Sequence, residues 1–200
     1  MDEQIMTVAT DKHTYSFEEY LELEETSNYK HEYQDGEVVP MTGGTTEHNK
    51  IALNFAAYLK FALKGQKYNI FIGDVKLWIP HYRQGTYPDV MIIDGKPIYY
   101  GGGKTTVTNP SLIVEILSKS TQNYDQGDKF LYYRSLPKFK EYILISQNQY
   151  YVMQYNKTNE GKWLLTEYEG ENSILSLISV NFDITFQEIY EGVTFNGQDD

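Results

Sequence analysis

The chain has 200 residues, a formal net charge of −11, 19 tyrosines and no cysteine. The lack of cysteine excludes a disulfide frame, a thiolate nucleophile and a thiolate zinc site, so any metal must be held by oxygen or imidazole. No apolar run approaches the ~20 residues that span a bilayer, and Met1-Asp2-Glu3-Gln4 lacks the basic and apolar regions of a signal peptide, so a cytoplasmic protein with no membrane partner is expected.

The length suits one domain over residues 1–200, since single cores grow to ~100–200 residues before splitting. The charge is uneven. Residues 1–47 carry 12 acids against 2 bases, residues 48–140 carry 6 against 13, and residues 141–200 carry 10 against 2. A basic middle between acidic ends reads either as a phosphate-facing core or as lysines decorating a surface.

Ser16-Phe17-Glu18-Glu19 is a capping box that opens a helix running to about Glu25. Lys30–Tyr33 and Glu37–Met41 flank Gln34-Asp35-Gly36, a hairpin signal. Gly43-Gly44-Thr45-Thr46 then caps a helix to about Lys64 with Gly65 as its stop, and Ile51, Phe55, Leu59 and Ala62 form its inward stripe. Strands are expected over Tyr68–Ile72 and Val75–Ile79. After a loop, His81–Tyr87, Pro88-Asp89 opens the strand Val90–Ile93. Leu112–Leu117 reads as a strand buried on both faces, a helix covers roughly Asp125–Leu136 before Pro137, and a strand follows at Glu141–Ile145. Further strands at about Tyr150–Tyr155 and Trp163–Glu169 precede a short helix near Phe186–Tyr190.

Two carboxylates stand out. Glu115 is the single charge in Leu112-Ile113-Val114-Glu115-Ile116-Leu117, where an ionised group costs several kcal/mol unless a cation compensates it. Asp89 opens another apolar strand directly after a proline. Two acids converging on one point repel each other, and a hard divalent cation such as magnesium or manganese reverses that repulsion.

Pro88-Asp89 followed by a strand bearing Glu115, inside a helix, strands, helix, strand order, resembles the PD-(D/E)XK nuclease superfamily. More closely, Asp35-Gly36-Glu37, His48, Pro88-Asp89, Val114-Glu115-Ile116-Leu117-Ser118, Asp125, Lys129 and Tyr133 resemble the Uma-type family of restriction-endonuclease-like bacterial proteins. The resemblance spans roughly residues 15–195. It implies an α/β fold with a mixed sheet: a core of order α-β-β-β-α-β over about residues 46–146, preceded by a helix and hairpin and followed by extra strands.

It also implies a magnesium- or manganese-dependent endonuclease cutting phosphodiester bonds in DNA. Asp89, Glu115 and the carbonyl of Ile116 would hold the metal, which polarises a phosphate oxygen and lowers the pKa of a bound water. Where the superfamily places its lysine, two residues after the glutamate, this chain has Leu117. The Uma-type family carries a lysine on the following helix, which matches Lys129, placed to orient water or offset charge on phosphorus. His48 falls on the inward stripe of its helix, as a ligand or proton shuttle, and Glu37 is a further acidic candidate at the edge of the site. A homodimer would suit two cuts on a duplex.

Structural readings compete at each position. Asp89 is also a common turn residue after proline, and Glu115 also suits a buried ion pair with Lys129. Asp125, four residues before Lys129, reads as half of a surface helix pair worth ~0.2–0.5 kcal/mol or as a helix cap. Ser118, Ser120 and Thr121 read as caps, and Gly43-Gly44 lacks the lysine spacing of a phosphate loop. The contrasting functional reading is a nuclease-like module that has lost catalysis and binds nucleic acid or a partner protein; a hydrolase of a smaller phosphate ester is the third.

Overall fold

The computed structural model describes residues 13–118 and 121–195, so Ser120 and the amino-terminal tetrapeptide lie outside the described residues. Helix α1 (Phe17–Thr26) begins at Ser16, whose hydroxyl accepts the Glu19 N–H while the Glu19 carboxylate accepts the Ser16 N–H. Strands β1 (His31–Gln34) and β2 (Glu37–Pro40) form the expected hairpin. Its two turn residues both take positive φ, 46° at Asp35 and 101° at Gly36, which suits the right-handed twist of the strands. Helix α2 (Thr46–Ala62) is capped by Thr45 Oγ1, which accepts the His48 N–H, and buries Ile51, Phe55, Ala56 and Leu59.

Strands β3 (Tyr68–Ile72), β4 (Lys76–Ile79), β5 (Gln84–Thr86), β6 (Val90–Asp94), β7 (Thr106–Val107) and β8 (Leu112–Leu117) follow. A helical crossover then carries the chain to β9 (Glu141–Ser146), built from α3 (Gln122–Tyr124), a π turn at Asp125–Lys129 and α4 (Phe130–Tyr133). Strands β10 (Tyr151–Lys157), β11 (Trp163–Glu169), β12 (Ile174–Leu177) and β13 (Phe182–Thr185) and helix α5 (Phe186–Ile189) complete the order.

The central sheet has six strands in the order β11-β10-β9-β8-β6-β3, with β8 and β9 parallel and the other neighbours antiparallel. A parallel pair needs a crossover, and the helical segment supplies it. On one face, α2 and α5 pack over Val90, Ile92, Val114, Ile116, Ile143 and Ile145. On the other, Met91, Ile93, Ile113, Leu117, Tyr142 and Leu144 meet Tyr133 and Phe139 from the crossover and Leu77 and Ile79 from β4. Alternation along β8 therefore sends Val114 and Ile116 toward α2, and Glu115 toward the crossover helix. Counted along the central sheet, the core is α2, β3, β6, β8, crossover, β9. That is the expected α-β-β-β-α-β order, with β4, β5 and β7 diverted into a second sheet.

The second sheet, ordered β2-β1-β5-β4-β7, was only half legible in advance. The expected loop at 81–87 holds β5, which pairs with both β1 and β4. Its centre is Gly85, where a Cβ would lie 2.9 Å from Phe17 Cε2 and 3.3 Å from Tyr33 Cβ. Phe17 is in turn stacked on Trp78 with ring centroids 3.7 Å apart, so α1 packs directly on bare backbone. Tight packing, and not an apolar pattern, makes this segment a strand. The β12–β13 hairpin was likewise not expected.

Candidate active site

Asp89 stands one residue before β6. Continuing the antiparallel register Val90↔Val114 places Asp89 opposite Glu115 and Pro88 opposite Ile116. The Asp89 N–H donates to Glu115 Oε2 at 3.3 Å, and the Ile116 N–H donates to Asp89 Oδ2 at 2.8 Å. Proline has no N–H, so Pro88 offers no ladder donor to the Ile116 carbonyl.

Three further elements reach the two acids. From the first turn of α2, His48 Nε2 lies 2.8 Å from Asp89 Oδ1. From the crossover, Lys129 Nζ donates to Glu115 Oε1 at 3.1 Å, and the Tyr133 hydroxyl donates to the same oxygen at 2.6 Å. Asp125 Oδ1 sits 3.2 Å from Lys129 Nζ. That atom is buried and makes no hydrogen bond of proper geometry among the described residues, so its compensation comes from the ion pair with Lys129. Glu32 on β1 lies 3.9 Å from the same ammonium and accepts a hydrogen bond from Thr86.

The structure thus brings Asp89, Glu115, Ile116, Lys129 and His48 to one place. Glu37 is not brought there: it is exposed on β2, at the outer edge of the second sheet, and is not among the described residues lining the cavity. Glu32, on the partner strand of the same hairpin, is the acid that approaches the site. Nothing in the spacing of the hairpin marks Glu32, because its approach to Lys129 comes from how β1 pairs with β5 in the second sheet. Asp125 departs from both of its structural readings. It is only 2% exposed, so its pair with Lys129 is not a surface pair, and it falls inside the helical segment that begins at Gln122.

The electrostatics follow from burial. Desolvation pushes the Glu115 carboxyl up to about 8; the Lys129 ammonium and the Tyr133 hydrogen bond oppose this, and the nearby Asp89 and Asp125 reinforce it. Desolvation alone would lower Lys129, but Glu115, Glu32 and Asp125 outweigh it and hold the ammonium charged well above its ordinary range. Three carboxyl groups, Glu32, Glu115 and Asp125, thus lie within 3.9 Å of the Lys129 ammonium, and Asp89 stands next to Glu115. Carboxyl groups outnumber bases at this centre.

Among the described residues, no group of three or more His, Cys, Asp or Glu side chains is arranged to hold a metal ion. That disfavours a zinc-type cage, which needs three or four side chains. Magnesium and manganese bind through one or two carboxylates and take their remaining oxygens from water and phosphate, and Asp89, Glu115 and the Ile116 carbonyl are the oxygens here that could serve one. The acids open onto a cavity of about 750 Å³, lined also by Gly43-Gly44-Thr45 at the start of α2, Ser118 and Thr121.

The family model Uma2, described as "Putative restriction endonuclease", matches residues 17–187. This chain belongs to the Uma2 family. Among its relatives, "Uncharacterized protein sll1609" of Synechocystis sp. is 41% identical over 169 residues, covering 84% of this chain and 95% of the relative. A second from the same organism, "Uncharacterized protein slr1290", is 34% identical over 182 residues, covering 89% and 92%. The fold is shared with a crystal structure from Anabaena variabilis, titled a "putative nuclease belonging to DUF820", at a TM-score of 0.70 and 15% identity, covering 88% of this chain and 97% of that one. The Uma2 assignment and the mixed α/β fold agree with the resemblance read from the motifs. No helix among the described residues is long and apolar enough to cross a membrane.

Proposed function

We propose that this Uma2-family protein is a magnesium- or manganese-dependent endonuclease that hydrolyses phosphodiester bonds in DNA. The observation carrying this reading is Glu115, 3% exposed, paired across the register with Asp89 and contacted by a lysine from the crossover whose side chain is 11% exposed. A carboxylate in that setting with only structural duties would be costly to keep.

In this reading Asp89, Glu115 and the Ile116 carbonyl hold the metal. When bound, it polarises a phosphate oxygen and lowers the pKa of water. His48, 2.8 Å from Asp89 Oδ1, fixes that carboxylate and stands at the cavity wall as a proton carrier. Lys129, whose ammonium stands 3.1 Å from Glu115 Oε1, would offset the negative charge that builds on phosphorus. Tyr133 keeps one hydrogen bond on Glu115 Oε1 and fixes the rotamer. Glu115 would have to be ionised to serve as a ligand, and its raised pKa would couple metal binding to loss of its proton.

The test is cleavage of single-stranded, duplex and branched DNA by the purified protein with magnesium or manganese, beside Asp89→Ala, Glu115→Ala and Lys129→Ala. Metal-dependent cutting should vanish in the first two and fall steeply in the third. Cutting that survives in both carboxylate variants, or none on any substrate, overturns the proposal.

A further inference from the structure

The cavity lining is chemically mixed. Asp89, Glu115, Asp125 and Lys129 share it with three large apolar side chains, Tyr29, Leu53 and Ile72. These three large apolar side chains are 78%, 56% and 49% exposed, and they come from three separate elements: the segment before β1, helix α2 and the last residue of β3. Isolated exposed apolar residues are ordinary on a protein surface, but three converging in the cavity that holds the carboxylates form a patch. The rim is also fixed in place. The Lys30 ammonium donates to the Gly73 carbonyl at 3.1 Å and pairs with Asp74, which ties the Tyr29 segment to the turn after β3.

Charge limits what this patch can recognise. The ammonium groups among the described lining residues are those of Lys30 and Lys129, and each is already paired with a carboxylate. Binding of either duplex or strand draws on Lys and Arg neutralising phosphates, and this cavity has little of that to offer. Single-strand binding adds stacking of bases against aromatic and apolar side chains, a contribution closed to bases that stay stacked within a duplex. The volume of about 750 Å³ matches sites that enclose one small ligand, ~300–1,000 Å³, in place of a groove that tracks a helix.

From these features we infer that the apolar side chains of the cavity receive an unstacked nucleobase of the strand being cut, so that the substrate is single-stranded or locally unpaired DNA. This rests on the nuclease reading and names its substrate class. Tyr29 supplies the stacking face and Leu53 and Ile72 the apolar walls.

The experiment measures fluorescence anisotropy of a labelled DNA strand, its duplex, and the same strand bearing an abasic site, in calcium, together with magnesium-dependent cleavage of the first two. The proteins are the whole chain, Tyr29→Ala, Leu53→Ser and Tyr29→Phe, with circular dichroism confirming the fold. The single strand should bind more tightly than the duplex. Tyr29→Ala should weaken it about five- to a hundred-fold, the range set by loss of one base–aromatic stack, while Tyr29→Phe leaves it unchanged. The abasic strand should bind the whole chain as weakly as the intact strand binds Tyr29→Ala. Equal binding and cutting of strand and duplex, indifferent to Tyr29→Ala and Leu53→Ser, would overturn the inference and leave the nuclease reading standing. Absence of both binding and cutting on every DNA would overturn both.

Discussion

Lys129→Met is the perturbation whose cost can be worked most directly from the structure. The substitution keeps most of the side chain's length and removes its charge, leaving Glu115 and Asp125, each within 3.2 Å of the ammonium, buried without a cation. Removing one partner of a buried pair costs ~3–5 kcal/mol, because the other charge stays desolvated. At ~2–4 °C per kcal/mol for a chain of this size, the melting temperature of the metal-free protein should fall by ~6–20 °C. The loss should depend on pH. Glu115 has a folded pKa raised to about 8, so the folded state binds its proton more tightly than the unfolded state, and this contribution is lost as pH rises from the ordinary carboxylate range through about 8. Lys129 has a raised folded pKa, so its contribution is present below its ordinary value and is lost only above the folded one. Without Lys129 the Glu115 pKa rises further. The gap between variant and parent should therefore narrow toward about pH 5, where Glu115 carries its proton in both, and widen toward about pH 9. Thermal unfolding across that range is the assay, and Glu115→Gln combined with Lys129→Met should recover the part of the loss that comes from Glu115 and remove its pH dependence, leaving the part that comes from Asp125. Equal melting of the variant and parent above about pH 8, or a loss that ignores pH, would refute the reasoning.

Magnesium should raise the melting temperature little at about pH 6 and progressively more toward and above about pH 8, because Glu115 must shed its proton to serve as a ligand; calorimetry in buffers of different ionisation enthalpy should show the proton released, and Glu115→Gln should remove the effect. His48→Ala removes the partner 2.8 Å from Asp89 Oδ1 and should cost ~10–100-fold in metal affinity or cleavage with little change in far-ultraviolet circular dichroism. Tyr133→Phe deletes the 2.6 Å hydrogen bond to Glu115, which should destabilise the ionised form by ~1.5–3 kcal/mol and move the onset of magnesium binding to higher pH. Gly85→Ala sets a Cβ 2.9 Å from the buried Phe17 ring, and denaturant unfolding should show a loss of ~1–3 kcal/mol.

The elements of the central sheet were legible because their sequences obey one rule at a time. Strand β8 is a continuous apolar run broken by Glu115, α1 opens on a capping box, and the hairpin is announced by Asp35-Gly36. What escaped was set by contacts distant in sequence. Gln84-Gly85-Thr86 has no strand pattern and becomes one because α1 lies on its glycine. Thr106–Val107 is a two-residue strand that exists through its parallel pairing with β4. In the site, Asp89, Glu115 and Lys129 could be named from the sequence, whereas Glu32 could not. Its approach to Lys129 depends on how the second sheet meets the central one, which no local spacing records. Glu37 was singled out from motif order, and the hairpin's own geometry leaves it on the outer strand.

The position of the lysine is explained by the crossover. On β8, the place two residues beyond Glu115 holds Leu117, which is 6% exposed and packed with Tyr133, Phe139 and Leu144 in the core. An ammonium there would be desolvated against apolar neighbours. The helix that must return over the sheet to start β9 in parallel passes Glu115 on the face where that side chain points, so a lysine on the helix reaches it without displacing core residues. Asp125, Lys129 and Tyr133 recur every four residues and form one stripe against the carboxylate. The π turn at Asp125–Lys129 inserts an extra residue in that stretch, a distortion frequent at functional sites, and it accompanies the close approach of Asp125 and Lys129. A lysine held this way is tied to the carboxylate through the crossover segment, not through the strand itself.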